Sequence, residues 1–257
     1  MLTHTFCGLK GLSLEAEKNL WHRGCLSWNH FPIVAHGLLS VRKEEHVISQ
    51  IREASIALNA GVTDYFLERL PPGYRLRILP VLRKGIAFMD IETTGLESDA
   101  ETTVIGVWME ETGLRQFVLG ADLEQFIRTW AEIRVLVTFN GIRFDTPMIC
   151  KTFGLKCAPP QIDLMHELKA HGYVGGLKAI EERLEITRRE NEQGDGAYAA
   201  ALWQQYTAGN TEALQRLLSY NRRDVLSLVE LSSVLWHRAC SGFPMALSQR
   251  WNPIFDN

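Results

Sequence analysis

Short apolar runs alternate with turns and one helical segment between residues 85 and 139, and this order of elements limits the fold more than any other feature. The runs are residues 86–89, 103–109, 114–119 and 134–139. The first three are separated by short connections, which favours antiparallel strands. A helical segment precedes the fourth, so we expect the first and fourth strands to be parallel neighbours. The pattern predicts an α/β fold, a mixed β-sheet flanked by helices.

Helical periodicity dominates the rest of the chain. Before residue 85 the predicted helices are residues 14–22, 43–59 and 64–70, and residues 72–77 are predicted to be a connector. The chain ends in a long periodic segment from residue 211 to about residue 239. We therefore predict two domains: a mainly helical N-terminal extension over residues 1–83 and an α/β domain over residues 84–257.

The composition excludes several classes of protein. Hydrophobic residues make up 46% of the chain and charged residues 22%, which excludes a disordered chain. The net charge of −3 excludes a globally basic nucleic-acid binder, so any such contact must come from a local patch. No apolar run reaches the roughly 18 residues of a membrane span, and the N-terminus has no signal-peptide pattern. The five cysteines form no C-x-x-C pair, so we predict reduced thiols and a cytoplasmic location.

Two acids follow the first predicted strand, in the segment D-I-E-T-T-G-L at residues 90–96. The alternation of a strand puts Asp90 and Glu92 on the same face, roughly 7 Å apart. A D-x-E triplet alone is a weak signal, since a chain with 30 acids contains about one by chance. Its position is more informative, because two carboxylates at the end of a core strand need cations.

A third acid, Asp145, follows the fourth predicted strand in the segment N-G-I-R-F-D at residues 140–145. One interpretation is a helix cap or first-turn acid, since a helix is predicted to follow over residues 146–153. The other is convergence with Asp90 and Glu92, because the first and fourth strands are predicted neighbours.

The last predicted helix contains the segment Y-N-R-R-D at residues 220–224, in which Tyr220 and Asp224 lie one turn apart on one face. Asp224 shares its stripe with Leu217, Leu228, Leu231 and Leu235. An acid within an apolar stripe needs a partner, either a basic side chain or a metal. Four carboxylates without histidine or cysteine favour Mg²⁺ or Mn²⁺ over zinc. Two ions about 4 Å apart would support an in-line phosphoryl displacement, with Tyr220 either orienting the attacking water or helping to deprotonate it.

These three segments resemble the Exo I, Exo II and Exo III motifs of the DEDD 3′–5′ exonucleases, which have the ribonuclease H-like fold. The Y-x-x-x-D form of the third segment resembles the tyrosine subclass, DEDDy. The resemblance covers roughly residues 84–238. More narrowly, the first 80 residues together with residues 162–168 and 175–184 look like the stand-alone bacterial YprB-like proteins of the same fold.

The resemblance implies a set of functional residues and a substrate. The implied metal ligands are Asp90, Glu92, Asp145 and Asp224, with Tyr220 as the residue that orients water. The implied substrate contacts are Thr93, Leu96 and Asn140, of which Leu96 would wedge against the terminal base. The expected activity is 3′–5′ exonucleolytic hydrolysis of single-stranded DNA or RNA ends with two Mg²⁺ or Mn²⁺ ions.

Two other functions stay open from the sequence. The first is a catalytically silent nucleic-acid binder that retains the motifs. The second is a structural module whose N-terminal helices recruit a protein partner. Asp163 is interpreted most simply as the N-cap of a helix over residues 164–171, with a metal role as the alternative.

Overall fold

The computed structural model describes residues 1–82, 84–97, 99–187 and 196–244. The chain forms two compact units, which are described separately. The first comprises Met1–Arg83 and Val234–Asn257, and the second comprises Lys84–Ser233.

The first unit is built from short helices. They are α1 (Leu14–His22), α2 (Phe31–Val34), α3 (Val41–Asn59) and α4 (Thr63–Leu67), with 3₁₀ helices at Leu2–His4, Trp28–His30 and Arg75–Val81. Helix α1 begins where predicted, because the Ser13 hydroxyl accepts a hydrogen bond from the Ala16 N–H. The connector predicted over residues 72–77 is partly wrong, since residues 75–81 form a 3₁₀ helix that buries Leu76 and Leu79.

An ion pair is fully buried in the first unit. Arg77 Nη1 donates to Glu17 Oε1 over 2.7 Å, and each side chain is 1% exposed. Glu17 Oε2 also accepts from the backbone N–H groups of Phe6 and Cys7, and the Arg77 guanidinium donates to the Ala239 carbonyl. Because both charges have several hydrogen-bond partners, their burial is compensated.

The second unit contains a five-stranded sheet. Its strands are β1 (Ile86–Thr93), β2 (Thr102–Met109), β3 (Gly113–Val118), β4 (Val135–Thr138) and β5 (Gln161–Asp163), in the order β3-β2-β1-β4-β5. The pairs β1–β2 and β2–β3 are antiparallel, whereas the pairs β1–β4 and β4–β5 are parallel. The predicted mixed sheet and the parallel pairing of the first and fourth strands are confirmed. The short strand β5 was not predicted.

Helices cover both faces of this sheet. They are α5 (Phe126–Glu132), α6 (Asp145–Phe153), α7 (Leu164–Ala170), α8 (Leu177–Arg183), α9 (Gly196–Thr207) and α10 (Thr211–Ala239). One core contains Met89, Phe126 and Ile149, and a separate one contains Val104, Leu202 and Leu217. Alternation along the strands thus directs side chains into both layers.

Helix α10 has 29 residues and the predicted bounds. The leucines of its predicted stripe are all buried: Leu217, Leu228, Leu231 and Leu235. Within the described ranges, no helix is both long and apolar enough to span a bilayer.

Candidate metal centre

Three of the four predicted metal ligands meet at the C-terminal end of β1. One carboxylate oxygen from each of Asp90, Glu92 and Asp224 lies within 4.8 Å of the other two. Glu92 is 5% exposed and Asp224 6%, while Asp90 is half-buried. The alternation of β1 puts Asp90 and Glu92 on one face, and α10 brings Asp224 to that face. The register between β1 and β2 shifts after Glu92. Irregularities of this kind are common near functional sites.

Asp145, the fourth predicted ligand, lies beside this group rather than within it. It is the first residue of α6 and is buried. Burial raises the pKa of its carboxyl to about 7, and the charges of Asp163 and Asp224 add to the increase. Hydrogen bonds from two backbone N–H groups, those of Asp145 itself and of Ile91, lower this pKa and offset part of the increase. Asp145 is therefore both a first-turn acid and a neighbour of the other carboxylates.

Burial and mutual repulsion oppose ionisation of the site. The pKa values of Asp90 and Glu92 lie well above their usual range because both carboxyl groups are desolvated by the surrounding protein and face the charge of Asp224. Among the described residues, no hydrogen-bond partner reaches the buried Oε1 of Glu92. A buried carboxylate oxygen of this kind requires a proton or a cation. Clustered carboxylate oxygens fit a hard divalent cation, so the residues present match the expected metal.

Tyr220 is held by a lysine that the sequence analysis did not select. Tyr220 is buried on α10, and its hydroxyl oxygen accepts a hydrogen bond from Lys178 Nζ on α8 over 2.9 Å. The charge of Lys178 also lowers the pKa of Glu92, against the stronger effect of burial. The available signal was the position of Lys178 in residues 175–184, which carried only the narrower resemblance.

Asn221 is a second residue that the sequence analysis did not select. Its side chain is fully buried, and its Nδ2 donates to the Asp90 Oδ2 over 3.1 Å and to the Asp90 backbone oxygen over 3.2 Å. The signal was its place between Tyr220 and Asp224. A buried amide one residue from a predicted site residue needs hydrogen-bond partners.

The loop before Asp145 is fixed by Asp163. The Asp163 carboxylate caps α7 by accepting from Met165 N–H, which confirms the N-cap interpretation. It also accepts from the backbone N–H groups of Asn140, over 2.8 Å, and Ile142. Asn140 has φ 61°, a left-handed conformation that asparagine tolerates better than most residues. Asp163 is thus more than a cap, because it sets the path of the chain from β4 towards Asp145.

A cleft of about 460 Å³ lies next to Glu92. Its lining includes Thr93, Leu96, Phe144, Ala197 and Gln204. Thr93 is buried and donates its hydroxyl hydrogen to the Gly95 carbonyl, whereas Leu96 is 80% exposed. The structure therefore brings two of the three predicted substrate contacts to one cleft. The third, Asn140, lies outside that lining.

Comparisons with known proteins give a match to a protein family and matches to solved structures. Residues 87–236, more than half of the chain, match the family RNase_H_2, described as RNase_H superfamily. No curated protein matches the sequence at a significant level. A solved structure of the family B DNA polymerase from the hyperthermophilic archaeon Pyrobaculum calidifontis is similar, with 17% sequence identity and a TM-score of 0.47. The match covers 65% of this chain and only 27% of that polymerase chain.

Proposed function

The chain belongs to the RNase H superfamily, and we propose that it is a metal-dependent 3′–5′ exonuclease of the DEDDy type that acts on single-stranded nucleic acid ends. The observation that carries this proposal is the group of Asp90, Glu92 and Asp224 oxygens within 4.8 Å of one another. The narrower resemblance to the YprB-like proteins is part of the same proposal. All five cysteines are free thiols, which supports the cytoplasmic location that we also propose.

The carboxylates of Asp90, Glu92 and Asp224 would hold the divalent ions, and Asp145 would complete the set. Two Mg²⁺ or Mn²⁺ ions would lower the pKa of a bound water and stabilise the negative charge that develops on the phosphate. Burial of Glu92 and Asp224 keeps bulk water from screening these charges. The family and the donor chemistry thus support the same class of reaction.

Tyr220 would position the attacking water. A lysine ammonium group has no acceptor, so in the contact between Lys178 and Tyr220 the hydroxyl oxygen must accept. The hydroxyl hydrogen is then directed to another acceptor, such as a water molecule or a phosphate oxygen. Lys178 therefore supports a role for Tyr220 as an oriented donor in the reaction.

The cleft beside Glu92 would receive the terminal nucleotide. Its volume of about 460 Å³ is within the usual range for small-molecule sites. The exposed Leu96 offers an apolar surface for a base, and Thr93 lies next to the metal ligand Glu92 in the chain. A single unpaired nucleotide fits these features, which supports single-stranded ends as substrates.

The test uses single-stranded DNA and RNA labelled at the 5′ end. With Mg²⁺ or Mn²⁺ we expect stepwise shortening from the 3′ end and release of 5′-mononucleotides, and with EDTA no reaction. Asp224→Asn, purified in the same way, controls for contaminating nucleases. Equal degradation of a 3′-blocked substrate would show an endonuclease. Binding of the strand without cleavage would show the catalytically silent alternative.

A further inference from the structure

Three residues lie directly opposite one another across β1, β2 and β3. Asp90 pairs with Gly106, and Gly106 pairs with Gln116. The side chain of Asn221 from α10 lies over the middle of this row. A Cβ atom at Gly106 would collide with Asn221 Oδ1 and with Val225 Cγ2, so only glycine leaves room for these two side chains of α10. The sheet is therefore shaped to admit Asn221 at this position.

Hydrogen bonds fix which way the Asn221 carboxamide points. Gln116 Nε2 donates to the Leu218 carbonyl over 2.8 Å, and a carbonyl can only accept. The same nitrogen donates to Asn221 Oδ1 over 3.0 Å, so the oxygen of Asn221 faces β3. The Asn221 side-chain nitrogen therefore faces β1, where it donates to Asp90 Oδ2 and to the Asp90 backbone oxygen. The Leu218 carbonyl thus sets the donor and acceptor directions of the whole series of hydrogen bonds that ends at Asp90.

We propose that Asn221 is a positioning residue for the metal centre: it holds the Asp90 carboxylate in the orientation that keeps one oxygen beside those of Glu92 and Asp224. This inference rests on the proposed function, since it assigns a role at the same site. Without such a donor, repulsion from two neighbouring carboxylates would favour other side-chain rotamers of Asp90. Residues that hydrogen-bond to metal ligands commonly fix ligand orientation in this way.

The chemistry of asparagine suits this role better than a charged residue would. A lysine or arginine at position 221 would also donate to Asp90, but its charge would compete with a divalent cation. An aspartate would add another negative charge to the cluster. A neutral amide orients the carboxylate and leaves its charge available to the ion.

The test measures binding of Mn²⁺ alone by titration calorimetry, without substrate. Asn221→Leu preserves much of the side-chain volume but has no donor, and we expect it to bind Mn²⁺ about 10–100-fold more weakly than wild type. Ser227→Ala is the matched control. Ser227 is also buried on α10, and its hydroxyl donates to the Arg223 carbonyl of the same helix. The control is expected to keep the wild-type affinity.

Gln116→Leu provides a second, milder variant. Gln116 is half-buried on the edge strand β3, and its loss releases Asn221 Oδ1 without changing any residue that contacts Asp90. We expect about tenfold weaker Mn²⁺ binding, the low end of the same range. This variant decides the question if circular dichroism shows that Asn221→Leu does not fold.

The outcomes separate this inference from the proposed function. The deciding variant is Asn221→Leu if it folds, and Gln116→Leu if it does not. If wild type binds Mn²⁺ and the deciding variant binds it equally well, the positioning role is overturned and the proposed function stands. If wild type itself binds no Mn²⁺, both fail. Weaker binding by the variant alone supports the inference.

Discussion

Lys178 Nζ lies 2.9 Å from the hydroxyl oxygen of Tyr220 and 4.7 Å from the centroid of its ring. One ammonium group therefore contacts both the polar and the apolar part of the same side chain. This arrangement limits rotation of the phenol and gives its hydroxyl a single direction in which to donate. Tyr220 is thus held in place before any substrate arrives.

Tyr220→Phe should lower kcat by about 10²–10⁴-fold, the usual value of a positioned donor or acid–base group. Mn²⁺ affinity and thermal stability should change little, because the ring still packs in the core. Single-turnover kinetics measures the effect. Tyr206→Phe, on α9 and also partly buried, is the control. Full activity of Tyr220→Phe would show that the residue is only a core aromatic.

Lys178→Met should reduce kcat less than Tyr220→Phe does, because the hydroxyl remains. The double variant should be no slower than Tyr220→Phe alone, since Lys178 acts through that hydroxyl. The four rates form a double-mutant cycle. Independent, multiplicative losses would mean that Lys178 acts by a route other than the Tyr220 hydroxyl, such as its charge on Glu92.

The metal-free protein should lose stability as the pH rises from about 4 to about 7. The pKa of Asp145 is raised from 3.8 to about 7, so the folded state binds this proton more tightly than the unfolded chain. That stabilisation is complete below the unfolded pKa and is lost as the pH passes the folded one. Thermal melts in EDTA across this range measure it. Asp145→Asn should reduce the dependence of the melting temperature on pH. An unchanged dependence would show that Asp145 is not the group responsible for it.

Asp90→Asn should melt at a higher temperature than wild type in EDTA. The substitution removes one of several repelling charges, and an asparagine oxygen can still accept from Asn221. Added Mn²⁺ should raise the melting temperature of wild type more than that of the variant, because a ligand stabilises the state that binds it. If the variant melted well below wild type in EDTA, Asp90 would instead be paired with a buried cation.

Arg77→Met should destabilise the first unit by about 3–5 kcal/mol, because it leaves the Glu17 carboxylate buried without its partner. Urea unfolding measures the change. Adding Glu17→Gln should recover part of it, since a neutral amide oxygen still accepts from the Phe6 and Cys7 N–H groups. No recovery would show that packing of Arg77, rather than its charge, is what matters.

Apolar runs predicted the strands because β1, β2 and β4 are buried along nearly their whole length. Helical periodicity predicted the long helix because one face of it is buried over many residues. Strand β5 was not predicted because three residues are too few to show a period, and its burial depends on the pairing with β4. Residues 75–81 escaped because the proline signals beside them indicated a connector, whereas Leu76, Ile78 and Leu79 are buried in the first unit.

The carboxylates of the site could be predicted because each follows a core strand or lies in an apolar stripe. Lys178 and Asn221 could not, because their roles depend on which side chains the fold brings next to them. A lysine on a short helix and an amide within a motif are common in any sequence. Their partners, Tyr220 and Asp90, lie 42 and 131 residues away in the chain.

The close approach of Gly106 to Asn221 constrains which substitutions evolution can accept at these two positions. Because a Cβ atom at position 106 would collide with Asn221 and with Val225, position 106 cannot change while both of these residues remain. A lineage that acquired alanine at 106 first would pass through an intermediate with a displaced Asn221. Smaller residues at 221 and 225 must therefore come before or together with a larger one at 106. Relatives of this chain should accordingly show covariation between the two positions, with glycine at 106 wherever asparagine occupies 221.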